Sequence, residues 1–336
     1  WNSGSLRPNV TERIQTARKT GYALMGTGLY GNNGLSPAVS IKIINTYIIP
    51  RLLYGLEATV LSKSQIGEID RYHKQLLRQV QGLPSNVSTD ALFILLGTLP
   101  IEAQLDIRIL ALFGAICRAG ESNPTLFQLA NRQLALSNKY SWFQMVLEKS
   151  VKYNICLQGH TTAPWRKEIW KQYVTSNIEM HWRKQLASNR EKTSLRLLDK
   201  DISKLGMTHP VWDSCQNNAR AVPAAMTRAK MLTGVYLTQR RKKKIGATEN
   251  AICQLCKLEE EDLEHMLLSC PETQTLREEK LQQIMEGTSG WVPELPNFRN
   301  FLNGPDREHP NYGRTQRPIN NLCHGIHLAR LQLTQK

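Results

Sequence analysis

The sequence has little that would place it in a membrane or outside the cell. Its longest apolar run, residues 109–117, is too short to cross a bilayer and lies between Arg108 and Arg118. The first ten residues, WNSGSLRPNV, contain no apolar core of a secretory signal. Four cysteines lack the spacing of a disulfide framework: Cys117, Cys156, Cys215 and Cys323. We therefore expect an intracellular protein, nuclear or cytoplasmic, that is neither secreted nor membrane-bound.

Acidic residues are scarce relative to basic ones. The 336 residues contain 43 Lys and Arg against 28 Asp and Glu, which gives a net charge of +15 and a pI near 9.6. This surplus favours a polyanionic partner, either RNA or DNA, and we expect no small-molecule substrate. Acidic lipid could use the same charge, but the short apolar run makes that alternative weaker.

Size and composition allow a large folded core. A hydrophobic content of 41% over 336 residues is enough for two domains or one extended array of helices. The chain begins with Trp1 rather than Met, and we expect it to be a piece of a longer polypeptide.

The strongest chemical signal lies in ICQLCKLEEEDLEHMLLSCP, residues 252–271. Four metal-binding side chains follow a C-x2-C-x8-H-x4-C spacing: Cys253, Cys256, His265 and Cys270. This ligand set suits tetrahedral Zn²⁺. A site with four protein ligands has no open position to activate water, so the spacing predicts a structural zinc. The alternative is a group of ordinary buried cysteines with a histidine nearby by chance.

The acidic run inside this motif predicts a short helix. Residues 259–262 are three glutamates and Asp262, and negative charge favours a helix N-terminus, while Pro271 prevents the helix from continuing. His265 would lie on this helix and Cys270 in the turn after it. Asp262 and Glu264 are either acceptors for the imidazole or solvated helix charges.

Basic residues accumulate directly before the zinc motif, in residues 225–246. We predict that seven of them contact nucleic-acid phosphates: Arg228, Lys230, Arg240, Arg241, Lys242, Lys243 and Lys244. Phosphate contacts cannot by themselves specify a base sequence. A nuclear-import signal and a merely solvated loop are the open alternatives for the block at 240–244.

Helical spacing of apolar residues dominates the rest of the chain. Ser62 and Gln65 form a capping-box pattern at the start of a long helix that Gly82 ends. We expect Pro50 to interrupt the helix before it and Gly97 to end a short one. The glycine-rich residues 26–37 predict a bend; a phosphate-binding loop is the alternative, although no Gly-Lys-Ser/Thr follows.

Several segments together resemble the C-terminal part of the polyprotein of non-long-terminal-repeat (LINE-type) retrotransposons. They are RIQTARKTGYALMGTGLYGNNGLSP, YIIPRLLYGLEATVLSKSQIGEIDRYHKQLLRQVQGLP, LLGTLPIEAQLDIRIL, and RAKMLTGVYL leading into CQLCKLEEEDLEHMLLSCP. The resemblance spans about residues 13–277. It implies the end of a reverse-transcriptase domain with its helical thumb, followed by that family's cysteine-histidine motif, and it carries over only the four zinc ligands as functional residues.

Spacing and resemblance together predict a mainly α-helical fold in five segments. Residues 1–35 would be the tail of the palm region and 36–120 a thumb-like helical bundle. A helical middle domain would occupy 121–224, the basic region with the zinc module 225–285, and a Pro/Gly-rich segment with a last helix 286–336.

One departure from the family pattern decides the expected activity. Polymerases of this type need paired carboxylates for two metal ions, and no Asp-Asp occurs in this sequence. We therefore predict a non-catalytic fragment that binds nucleic acid. The alternatives are part of an active RNA-directed DNA polymerase whose palm lies upstream, and a zinc-stabilised scaffold for protein partners.

Overall fold

The computed structural model describes residues 7–29, 34–120, 122–136, 138, 140–158, 164–188, 195–198, 205–215, 218–287, 297–305 and 307–334. These residues form fifteen α-helices and no named β-strand, so the prediction of a mainly helical protein is confirmed. A single antiparallel bridge pairs Ile252 with Glu260. No helix among the described residues is long and apolar enough to span a bilayer.

The helices, numbered here in chain order, fall into three successive groups. The first group is α1 (Arg7–Met25), α2 (Pro37–Ile43), α3 (Ile49–Leu53), α4 (Lys63–Gln81), α5 (Thr89–Leu96) and α6 (Ile101–Ala119). The second is α7 (Pro124–Ala135), α8 (Trp142–Lys152) and α9 (Lys167–Ser188). The third is α10 (Pro210–Asp213), α11 (Val222–Leu232), α12 (Gln239–Lys244), α13 (Gln274–Gly287), α14 (Phe298–Asn303) and α15 (Tyr312–Thr334).

Helix ends follow the local sequence signals closely. The Ser62 backbone N–H donates to Gln65 Oε1 at 2.8 Å, and the Gln65 N–H donates to Ser62 Oγ at 3.3 Å, which confirms the capping box. Gly97 ends α5 with a φ of 57°. A Cβ on Gly97 would stand 2.0 Å from the carbonyl oxygen of Met207, so both the turn and the close backbone approach require glycine.

The expected interruption at Pro50 is wrong. A π-helical segment, Ile44–Ile48, precedes α3, and the Ile49 N–H donates to Ile44 O. Pro50 then lies in the first turn of α3, where proline's missing N–H costs little. The wider turn before the proline therefore lets the chain stay helical across it.

The chain divides into two compact units that alternate along the sequence. The first contains residues Trp1–Leu24, Lys42–Leu76 and Thr98–Ser188, and the second Met25–Ile41, Leu77–Gly97 and Asn189–Lys336. These units and the five predicted segments follow different boundaries. The assignment of those segments to a palm tail and a thumb stays a prediction.

In the first unit, α6 and α9 pack around a buried tryptophan. Trp170 is 1% exposed, and its indole N–H donates to the carbonyl oxygen of Leu110 at 2.8 Å. Gly114 makes room for the ring, because a Cβ there would stand 2.3 Å from Trp170 Cδ1. Phe113, also buried, lies with its ring centroid 6.4 Å from the indole.

In the second unit, the last helix supplies much of the core. α15 packs against α11 and α13 through a fully buried stripe of Ile319, Leu322, Cys323 and Ile326. The C-terminal helix runs from Tyr312 to Thr334 and includes Pro318. It also contacts the zinc motif, through the ion pair of Arg330 with Glu261.

Candidate metal centre

The four predicted ligands converge. One ligand atom from each of Cys253, Cys256, His265 and Cys270 lies within 4.8 Å of all the others. The Cys253 and Cys270 sulfurs are 3.9 Å apart, and Cys256 Sγ is 3.4 Å from His265 Nε2. A tetrahedron with Zn–S bonds of about 2.3 Å has sulfur–sulfur edges of about 3.8 Å. The residues therefore fit zinc, and no ligand position remains for a substrate.

A tight turn presents the first two thiols. The Cys253 N–H donates to Glu259 O at 2.8 Å, and the Lys257 N–H donates to Cys253 O at 3.0 Å. Lys257 takes a left-handed φ of 59° to close the turn. Burial raises the pKa of the Cys253 thiol to about 12.

The Cys256 thiol is already prepared to ionise. Burial raises its pKa, but hydrogen bonds from the Leu258 and Glu259 backbone N–H groups and from neighbouring side chains outweigh this and lower the pKa to about 7. Zinc binds the thiolate form of cysteine, so these N–H groups favour the state that a metal needs.

The histidine is oriented by an acidic residue that the sequence did not single out. His265 presents Nε2 to the sulfurs, while its Nδ1 lies 3.1 Å from Glu259 Oε2. A carboxylate on the outer nitrogen fixes the ring and makes it a better ligand. The candidates from sequence were Asp262 and Glu264. Asp262 instead accepts the His265 backbone N–H at 2.9 Å, as a cap for the turn of helix that begins at Leu263.

Glu261 joins the zinc motif to the rest of the second unit. It is fully buried, and its carboxylate accepts Arg330 Nη2 at 2.7 Å and Arg330 Nε at 3.1 Å. Its backbone N–H donates to Ala251 O at 2.8 Å. Inside an acidic run, no sequence signal marks one glutamate as the buried member, because its partner Arg330 lies 69 residues away.

The same residue holds the start of the basic helix α12. Glu261 Oε1 accepts the Gln239 N–H at 2.9 Å, and Glu261 O accepts the Arg240 N–H at 3.1 Å. Thr238 caps α12 by accepting the Arg241 N–H at 3.3 Å. The first backbone donors of the helix are therefore satisfied by the zinc motif and by the cap.

The cations of α12 face outward to different degrees. Arg240, Lys243 and Lys244 are exposed, and Arg241 and Lys242 are half-buried. Arg240 pairs with Asp262 at 3.0 Å. Among the described residues, the three lysines of α12 are in no ion pair. Residues 240–244 therefore belong to a short helix that is anchored to the zinc motif. The alternative of a solvated loop is wrong.

Arg228 corrects the predicted set of phosphate contacts. It is fully buried and donates to Leu302 O at 2.8 Å, Gln316 Oε1 at 3.0 Å and Asn320 Oδ1 at 3.0 Å. Burial lowers its pKa to about 10. The side chain links α11, α14 and α15 and is not available to a phosphate, because a core position was mistaken for part of a surface block. Lys230, in the last turn of α11, is half-buried.

A comparison with known protein families identifies the kind of domain that contains this site. A family model described as zinc-binding in reverse transcriptase matches residues 198–276. The match includes the four ligands and α12. No curated protein and no solved structure matches the chain. The protein thus carries a zinc domain of the kind associated with reverse transcriptases, and the prediction of zinc as its cofactor is confirmed.

Proposed function

We propose that the chain is a non-catalytic, nucleic-acid-binding part of a LINE-type retrotransposon polyprotein. The observation that carries this proposal is the anchoring of α12 to the zinc motif through both the carboxylate and the carbonyl of Glu261. A fixed, cation-rich helix beside a structural zinc fits the binding of a phosphate backbone.

Charge and family context support the same proposal. The net charge of +15 attracts polyanions over the whole surface, and α12 concentrates five cations in six residues. The matched family is associated with reverse transcriptases, whose substrates are RNA and DNA. In the proposed mechanism, Lys230, Arg240, Arg241 and the three lysines displace counterions from phosphates, so affinity falls steeply with salt and depends little on base sequence.

The test is a salt titration of RNA and DNA binding by the zinc-loaded full chain, followed by fluorescence anisotropy. We expect replacement of Lys242, Lys243 and Lys244 by Glu to weaken binding and to reduce the slope of log affinity against log salt by about 3. A matched control changes three exposed lysines of α9, Lys167, Lys171 and Lys184, to Glu.

The control separates a binding surface from net charge alone. Equal losses in both triple variants would mean that total charge drives binding and that α12 has no special part. Weak binding by the unchanged protein that does not respond to salt would favour a scaffold for protein partners and would refute the proposal.

A further inference from the structure

A groove runs between α12 and the zinc motif. Its volume is about 610 Å³, within the range of about 300–1,000 Å³ that is typical of ligand pockets. Its walls combine two kinds of residue. The cations are Arg196, Arg240, Arg241 and Lys244, and the apolar or aromatic residues include Ile245 and Phe298.

The far wall of the groove is held in place by hydrogen bonds from α14. Asn303 Nδ2 donates to Leu197 O, and Arg299 Nη2 donates to Leu198 O, both at 2.7 Å. These bonds fix residues 195–198, which include Arg196. Both sides of the groove therefore stand on helices of the second unit.

The apolar part of the groove is accessible. Ile245, at the end of α12, is 58% exposed, and Phe298 is half-buried at the start of α14. Tyr236 is largely buried, and its hydroxyl lies 2.8 Å from His327 Nδ1. Apolar and aromatic surface that is accessible between cations suits a ligand with two parts. One part would be flat and apolar, and the other would be anionic.

Two carboxylates add hydrogen-bond acceptors to the groove. Asp262 and Glu264 also line it. Asp262 already accepts the His265 N–H and pairs with Arg240, while Glu264 is exposed and can accept a hydrogen bond from a base amino group. Four cations against two carboxylates leave a positive balance for phosphates at the rim. On Arg241, which lines the groove, the buried Nε donates to no described group.

We propose that this groove receives an unpaired base of a single-stranded nucleic acid, with the flanking phosphates on Arg196, Arg241 and Lys244. Bases in a duplex are stacked and paired, so only a single strand can offer a base face to Ile245 and Phe298. The proposal rests on the proposed function and makes it more specific, because phosphate contacts alone do not recognise the bases.

The experiment compares a fluorescent single-stranded oligonucleotide, as RNA and as DNA, with the matched duplex. Phe298→Ala is expected to weaken single-strand binding about 5- to 100-fold and to change duplex binding by less than about twofold. Ile245→Ser, at a position that is 58% exposed, is expected to act in the same direction with a smaller loss. Leu258→Ser is the control, since Leu258 is 73% exposed in the zinc motif and does not line the groove.

Three results would overturn the groove proposal while leaving the proposed function intact. They are an equal loss of single-strand and duplex binding, no loss in either groove variant at unchanged zinc content, and a free mononucleotide that binds as tightly as the oligonucleotide. Absence of any nucleic-acid binding by the unchanged protein would instead refute the proposed function itself.

Discussion

The zinc motif and the helices around Trp170 are ordered by different means. In the first unit, Trp170, Phe113 and Val174 are almost fully buried, and apolar burial stabilises the packing of α6 and α9. Residues 251–273 contain a long acidic run, and their centre is a set of metal ligands with one buried ion pair. A segment this short and polar cannot bury enough apolar surface to fold by itself.

The difference shows that a charge-rich segment can be held in a defined structure by metal ligands and a buried ion pair, without a large apolar core. In the first unit, many small apolar contacts share the stabilisation. In the zinc motif, a few groups carry nearly all of it, so their removal has a large and local effect. Each prediction below acts on one of the two regions and uses the other as its internal reference.

Zinc removal should have the largest effect. A structural zinc contributes an apparent ~10–16 kcal/mol in such sites, so chelation should unfold residues 251–273. Hydrogen exchange, measured with and without chelator, should show lost protection there and unchanged protection in α9. Loss of protection in both regions, or in neither, would show that the two are not stabilised independently.

Glu261→Ala should have the next largest effect. It leaves the Arg330 guanidinium, 7% exposed, without its carboxylate and removes the side-chain acceptor of the Gln239 N–H at the start of α12. Breaking a buried ion pair in this way costs about 3–5 kcal/mol. Urea unfolding of the zinc-loaded protein would measure the loss.

The neighbouring Glu260→Ala is the matched control, since the Glu260 side chain is 55% exposed. Similar losses of unfolding free energy in the two variants would contradict the claim that the buried ion pair of Glu261 with Arg330 stabilises this region.

Glu259→Ala should weaken zinc binding without unfolding the first unit. Loss of a carboxylate that orients a ligand histidine typically costs about 10- to 100-fold in metal affinity. Competition with a chromophoric chelator would measure it. Glu264→Ala is the control, because Glu264 makes no hydrogen bond to the imidazole among the described contacts. Equal losses of zinc affinity in the two variants would mean that negative charge near the site matters and that the contact of Glu259 with His265 Nδ1 does not.

Gly114→Ala should act on the other region alone. Its Cβ would meet the indole of Trp170 at 2.3 Å, and overpacking of this kind costs about 1–3 kcal/mol. Tryptophan fluorescence during urea unfolding should report the loss, while zinc content stays unchanged. Gly67→Ala is the control, since a Cβ at this position in α4 meets nothing within 4 Å, and alanine favours a helix; destabilisation by that change would undermine the packing argument.

The sequence predicted the features that depend on neighbours along the chain. The capping box at Ser62, the turn at Gly97 and the ligand spacing of the zinc motif all arise from residues that are close in sequence, so their chemistry can be recognised there. The mainly helical fold followed from the spacing of apolar residues.

Only the tertiary structure decided which charged residues are buried. Arg228 and Arg240 belong to one basic stretch, yet the first lies in the core among Leu302, Gln316 and Asn320, and the second is on the surface. Glu261 lies in an acidic run, yet it is buried against Arg330. The cost of burying a charge is offset by partners distant in sequence, and no local pattern contains those partners.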